Sequence, residues 1–177
     1  MNHQDHVKLL RSGISSRGGA WADFGSGSGA FTLALRELVG ADAEIYSIDK
    51  DGSALREQER AFYQRFADSR VQFICADFTR PLPLSPLDGI VMASALHFFK
   101  DKETVLRHAR EFLKPQGDLL LVEYNVDSGN LWVPHPLSFD TFRALAPRAG
   151  FAEPRLLATA PSRFLREFYA AAAERAD

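Results

Sequence analysis

A single cysteine, Cys75, stands in 177 residues, which excludes an intrachain disulfide and any cysteine-cluster metal site. It is expected to pack as a small hydrophobe, and no metal ligands are expected. Long apolar runs are also missing. No segment approaches the roughly 20 residues needed to span a bilayer, and the polar start Met1-Asn2-His3-Gln4-Asp5 lacks a signal peptide's apolar core. A cytoplasmic location without a membrane partner is therefore expected. Charge of one sign is scarce too: the formal net charge is −2 and the cations are dispersed, so no field draws nucleic acid. The most basic stretch, Lys100, Lys102, Arg107, Arg110 and Lys114, is interleaved with Asp101, Glu103 and Glu111, as on a solvated helix face.

Apolar residues at 46% and charged residues at 25% are typical of a soluble globular chain, and the length fits one domain of about 150 residues. Residues 20–177 read as its core and residues 1–19 as an N-terminal arm with a possible helix from His3 to Arg11. Short apolar runs alternate with amphipathic segments, the pattern of βαβ units on a parallel sheet. Strands are expected at Ala20–Phe24, Glu44–Ile48, Val71–Cys75, Leu87–Ala93 and Asp118–Tyr124, nearly continuous in apolar residues, as strands covered on both faces are. Helices are expected at Ala30–Val39, Gly52–Ala67 and Asp101–Leu113, the last stopped by Lys114-Pro115-Gln116-Gly117. A further helix at Phe139–Ala149 leads to a strand at Phe151–Ala158. Ser162–Ala173 is helical by propensity, yet a sheet edge needs cover and Phe164, Phe168 and Tyr169 suit a strand. We read it as a last, antiparallel strand.

The strongest signal is Asp23-Phe24-Gly25-Ser26-Gly27-Ser28-Gly29, between the first strand and the first helix. Alternate glycines let the backbone turn tightly and approach a ligand, while the helix behind offers unpaired N–H groups. Twenty residues after Gly29, Asp49 closes the second strand beside Lys50, where a carboxylate can accept bonds from both hydroxyls of a ribose. After the third strand, Asp77 is placed to accept from an adenine amine beside the Phe78 ring. Each acid also has a plain reading, Asp49 as a helix cap and Asp77 as a turn former. A nicotinamide dinucleotide fold would satisfy Gly25, Gly27 and Ala30, but it gives no role to Asp23 or Asp77 and needs a substrate domain for which little chain remains.

Taken in order, these motifs resemble the class I S-adenosylmethionine-dependent methyltransferases over roughly Trp21 to Leu157. The glycine loop looks like that family's acidic-x-Gly-x-Gly-x-Gly sequence, Ile48-Asp49 like its ribose-binding acid and Asp77-Phe78 like its adenine contact. Leu87-Asp88-Gly89-Ile90-Val91-Met92-Ala93 resembles its fourth-strand motif and Leu113-Lys114-Pro115-Gln116-Gly117 its turn before strand five. The resemblance implies a doubly wound α/β fold in three layers, with a mostly parallel seven-stranded sheet and an antiparallel last strand. It also implies S-adenosyl-L-methionine as cofactor, with Asp23, Phe24, Gly25, Ser26, Gly27, Gly29, Asp49, Lys50, Asp77, Phe78, Ala93 and Ser94 around it.

Methyl transfer from a sulfonium is an in-line displacement, so positioning does much of the work; a weak nucleophile also needs a base. His97 is the candidate, because Leu96-His97 resembles a motif of small-molecule methyltransferases including quinone-pathway members; packing on Phe98 or Phe99 is the plain alternative. Glu123, Asn125, Trp132 and His135 are candidates for the acceptor pocket. The fourth strand lacks the Asn/Asp-Pro-Pro-aromatic sequence of amino-methylating enzymes and no Cys follows it, which favours a small organic acceptor. With so short an arm, either a bulky acceptor enters an open site, or cover for the cleft comes from a loop at Asp127 to Pro136 or from a homodimer partner. A non-catalytic cofactor-binding scaffold has the same sequence signature.

Overall fold

The computed structural model describes residues 1–66 and 70–177. Strands β1 (Ala20–Phe24), β2 (Glu44–Asp49), β3 (Val71–Cys75), β4 (Leu87–Ala93), β5 (Leu113–Tyr124), β6 (Arg155–Pro161) and β7 (Glu167–Glu174) form one sheet in the order β3-β2-β1-β4-β5-β7-β6. Pairs from β3 across to β5 are parallel, and β7 runs antiparallel to both of its neighbours. Around the sheet lie α1 (His3–Arg11), α2 (Ala30–Val39), α3 (Gly52–Arg65), α4 (Lys102–Glu111) and α5 (Phe139–Leu145).

Successive strand residues face opposite sides, and here both sides are apolar. Phe24, Ile48, Met92 and Leu121 join one buried cluster with Leu106 and Ala109 of α4 and Phe142 of α5. On the other side, Trp21, Ile45, Val91 and Leu120 pack with Leu10 of α1, Leu35 of α2 and Phe62 of α3. Near-continuous apolar strands and a three-layer, doubly wound fold are thus one fact seen twice.

The alanine-rich end of the chain is a strand, as its edge-covering role suggested, although alanine favours helix. In extended form Ala171 and Ala173 bury on one face and Ala170 and Ala172 on the other, and β7 fills a double ladder between β5 and β6. Several boundaries differ from the sequence reading. Asp101 caps α4, accepting from the Thr104 N–H at 3.1 Å, and α4 ends at Glu111 because Leu113 already pairs with Leu87 in the β4–β5 ladder. Strand β5 therefore takes in the Lys114-Pro115-Gln116-Gly117 turn. Phe151 makes an isolated bridge to Arg175 and β6 begins four residues later, while β7 begins at Glu167 rather than at Ser162. Helix α5 stops at Leu145 and the chain tightens to a 3-10 turn over Ala146–Ala149, with Pro147 inside it. Helix α3 ends at Arg65 with Phe66 extended; its expected end at Ala67 lies outside the described residues. No described helix is long and apolar enough to cross a membrane.

Candidate functional site

Strand order reverses between β1 and β4, and the carboxyl ends of the strands on either side of such a reversal leave a crevice. A cleft of about 100 Å³ opens there, lined by Gly25, Asp49, Lys50, Ala76, Asp77, Phe78 and Phe99. Four of the expected cofactor residues outside the glycine loop, Asp49, Lys50, Asp77 and Phe78, thus share one cavity with Gly25.

The glycine loop needs its glycines for geometric reasons. Gly25, Gly27 and Gly29 all have left-handed backbone, at φ 76°, 54° and 86°. A Cβ on Gly25 would lie 2.7 Å from the Ala95 Cβ, so the loop after β1 presses on the turn after β4. A Cβ on Gly27 would meet nothing within 4 Å among the described residues, which leaves that side of the loop open to a ligand. Gly29 precedes α2 without a side-chain cap, leaving the helix's first N–H groups to other acceptors.

Asp49 is not a helix cap. That role belongs to Asp51, which accepts from the N–H groups of Ser53 and Ala54. The Asp49 carboxylate instead binds the Gly27 N–H at 2.8 Å through Oδ2 and the Asp51 N–H at 2.8 Å through Oδ1. A carboxylate offers about four lone-pair sites, so the same group that holds the loop retains two acceptors for a diol. Asp77 Oδ1 accepts from the Thr79 backbone N–H at 2.9 Å and its hydroxyl at 2.7 Å, and these bonds, the hydroxyl's first, hold the carboxyl below its ordinary pKa. Its Oδ2 has no hydrogen-bond partner among the described residues. Phe78 stacks on Phe24, centroids 5.3 Å apart, and meets Phe99 edge-on at 5.6 Å, giving the cleft an apolar wall beside two acids.

Beneath the loop lies a polar knot that sequence reasoning missed. Gln58 of α3, fully buried, donates to Thr32 Oγ1 at 2.6 Å and Ser47 Oγ at 2.7 Å and accepts from Ser26 Oγ at 3.2 Å. Thr32 Oγ1 in turn donates to Asp23 Oδ2 at 2.6 Å. The signal was present: Gln58 stands between Leu55 and Phe62 on the inward stripe of α3, where an unpaired amide would be costly. Asp23 itself is 1% exposed. Burial, opposed by the Thr32 bond and reinforced by the Asp49 charge, pushes its carboxyl up to about 7, and its Oδ1 is buried without a partner among the described residues.

The end of β4 is held differently. Ser94 has φ 52°, a strained value for a residue with a Cβ, and its N–H bonds the Val122 carbonyl at 2.8 Å; Ala93 beside it is buried. The chain then makes a 3-10 turn, Leu96–Phe98. Glu123, fully buried, accepts through Oε1 from the N–H groups of Leu96 and His97 at 2.9 and 3.1 Å, and its Oε2 is 2.8 Å from His97 Nδ1. His97 is 3% exposed, its ring covered by Phe98 at 4.3 Å between centroids and flanked by Tyr124 at 6.1 Å. Glu123 is therefore placed to orient His97 rather than to line an open pocket.

The remaining candidates are more scattered. Asn125 donates to Glu167 at 2.8 Å and accepts from the Phe139 N–H at 3.0 Å, tying β5 to β7 and α5. His135 reaches His97 through its backbone, N–H to carbonyl at 3.0 Å. Trp132, 72% exposed, stands on a turn in which Asn130 Oδ1 accepts from the N–H groups of Trp132 and Val133. Its loop is closed at the base by Asp127, which accepts from the Ser138 N–H and hydroxyl.

A doubly wound sheet with acids at three successive strand ends around a glycine loop defines a Rossmann-like cofactor-binding fold. The chain belongs to the methyltransferase-domain family, whose model matches residues 15–146. Over 116 residues it is 33% identical to the ubiquinone/menaquinone biosynthesis C-methyltransferase UbiE of Azotobacter vinelandii, covering 65% of this chain and 46% of that protein. The chain thus spans about half the length of the curated relatives it matches. Among solved structures, YcgJ of Bacillus subtilis superposes with a TM-score of 0.80 at 15% identity, over 99% of this chain and all of the other. A SAM-dependent methyltransferase of Aquifex aeolicus gives 0.75 at 20% identity, over 96% and 89% of the two chains.

Proposed function

We propose that this chain is an S-adenosylmethionine-dependent methyltransferase acting on a small organic acceptor. The observation that carries the reading is the convergence of Gly25, Asp49, Asp77 and Phe78 on one cleft. In this reading the two free acceptor sites of Asp49 take the ribose hydroxyls, Asp77 Oδ2 takes the adenine amine, and Phe78 and Phe99 flank the base. Lys50, Ser26, Gly27, Gly29, Ala93 and Ser94 complete the surround, and Asp23 supports the loop from beneath through Thr32. The cofactor, when bound, supplies an electrophilic methyl group on a sulfonium.

What the chain's own residues contribute is position and a proton acceptor. His97, at the carboxyl end of β4, takes the proton that the acceptor gives up, and Phe98, 60% exposed, is the ring that moves aside to admit it. The acceptor itself stands against Tyr124, Asn125 and His135. A quinol-like ring is the first acceptor to try, because the Azotobacter relative is named for quinone biosynthesis. A homodimer belongs to the same reading: Leu131 and Trp132, 89% and 72% exposed, are apolar surface that a second subunit would cover, and sedimentation would show it. No partner role for nucleic acid is included, and the proposed site of action is the cytoplasm.

Calorimetry tests the central claim. Binding of S-adenosylmethionine and S-adenosylhomocysteine, but not of a nicotinamide dinucleotide, is the expected result. Binding of neither would sink the reading, and cofactor binding without methyl release to any phenol, amine or quinol tried would favour the scaffold.

A further inference from the structure

The contact that the proposed chemistry leaves unexplained is the buried acid behind His97. Glu123 is fully enclosed on β5, and removing a carboxylate from water is costly unless its oxygens are hydrogen-bonded. Here both are: Oε1 takes two backbone N–H groups of the turn after β4, and Oε2 takes His97 Nδ1. Lys102, 9% exposed, lies close enough for its charge to interact with Glu123 and with Asp127, while its ammonium donates to the Phe99 carbonyl at 2.9 Å. On the other side, Tyr169 of β7 is paired in register with Glu123, and its hydroxyl is buried without a partner among the described residues.

A glutamine at position 123 would hold the same two N–H groups without burying a charge. It would also reach Nδ1, but as a donor. The difference between acid and amide therefore falls on one atom: a carboxylate has acceptors only, so Nδ1 must carry the hydrogen, which in the neutral ring leaves the lone pair on Nε2, an atom with no hydrogen-bond partner among the described residues. An amide would reverse both. We infer that Glu123 is a positioning residue that holds His97 in the Nδ1–H tautomer with Nε2 as proton acceptor, an inference that rests on the methyltransferase reading above. When the acceptor loses its proton, the new N–H bond forms at Nε2 and Nδ1 keeps its own hydrogen. The resulting imidazolium stands against the Glu123 carboxylate, which stays unprotonated.

The tautomer can be read directly from two-bond 15N–1H spectra of the histidine ring. The probes are S-adenosylhomocysteine and sinefungin, a cofactor analogue with an amine at the place of the transferable methyl. The wild-type chain should show Nε2 without hydrogen at neutral pH, and sinefungin should move that resonance more than S-adenosylhomocysteine does, since an amine donor then faces the lone pair. E123Q should bind both compounds with near-wild-type affinity, carry the hydrogen on Nε2 and lose the difference between the two probes. A purely structural acid gives equal responses to both probes, and that result overturns the inference, as does an Nε2–H tautomer in the wild type or an unchanged tautomer in E123Q. If neither probe binds, the methyltransferase reading fails first and the inference with it. Should E123Q fail to fold, the wild-type tautomer and its two-probe response decide alone.

Discussion

Gln58 occupies the space that a side chain at Gly29 would need: a Cβ there would lie 2.2 Å from Gln58 Cγ. The two residues are 29 positions apart, and Gln58 is itself held by Thr32, Ser47 and Ser26. The glycine loop is thus shaped from below by α3 as well as by its own backbone.

Gly29→Ala should therefore destabilise the fold by about 1–3 kcal/mol, from left-handed backbone strain plus displacement of the amide. It should weaken cofactor binding further by tilting the loop. Urea unfolding and calorimetry on the same preparation check both, and wild-type values for each would show that Gln58 yields without cost.

Asp49→Ala removes a carboxylate that binds Gly27 and Asp51 and, in the proposed complex, a ribose. Cofactor affinity should fall by about 1.5–3 kcal/mol, the range for hydrogen bonds to a charged group. The fold should survive, because Asp51 and not Asp49 caps α3. Unchanged affinity would place the ribose contact elsewhere.

Asp23 makes stability depend on pH. Its carboxyl is raised from 3.8 to about 7 by burial, so between these values the folded chain holds a proton that the unfolded chain has released. The contribution of this group is fully present below the unfolded value and is lost as pH rises through about 7, on the order of 4 kcal/mol at one pKa unit per ~1.36 kcal/mol. The urea midpoint of the wild type should fall more steeply between pH 5 and pH 8 than that of Asp23→Asn, which has no charge to bury. Parallel curves would mean that Asp23 is ionised in the fold throughout.

His97→Ala should bind the cofactor almost normally and lose turnover by roughly 10²–10⁴-fold, the usual contribution of a general base. A histidine that only packs against Phe98 and Tyr124 would instead lower the melting temperature and leave turnover per folded molecule intact. Measuring both on one sample separates the cases.

What the sequence determined by itself is what local chemistry encodes. Short apolar runs bounded by turn residues read as strands, so β1 to β4 were legible almost to the residue, although β3 at the sheet edge is only partly buried, and acids that follow such runs fall at the carboxyl edge of the sheet, as Asp49 and Asp77 do. Strand β7 was legible only through the need to cover an edge, since its alanines favour helix until the ladders with β5 and β6 outweigh propensity. The tertiary structure alone decided the contacts between distant segments. The join of α4 to β5 was set by pairing of Leu113 with Leu87, and the role of Glu123 by a turn 26 residues earlier in the chain. Gln58 became the support of the glycine loop because α3 packs over β2 and β3 with Gln58 facing Ser47 of β2 and Thr32 of α2. No local pattern specifies such partners: a buried polar side chain announces only that it must be satisfied, and which group satisfies it depends on how the layers meet.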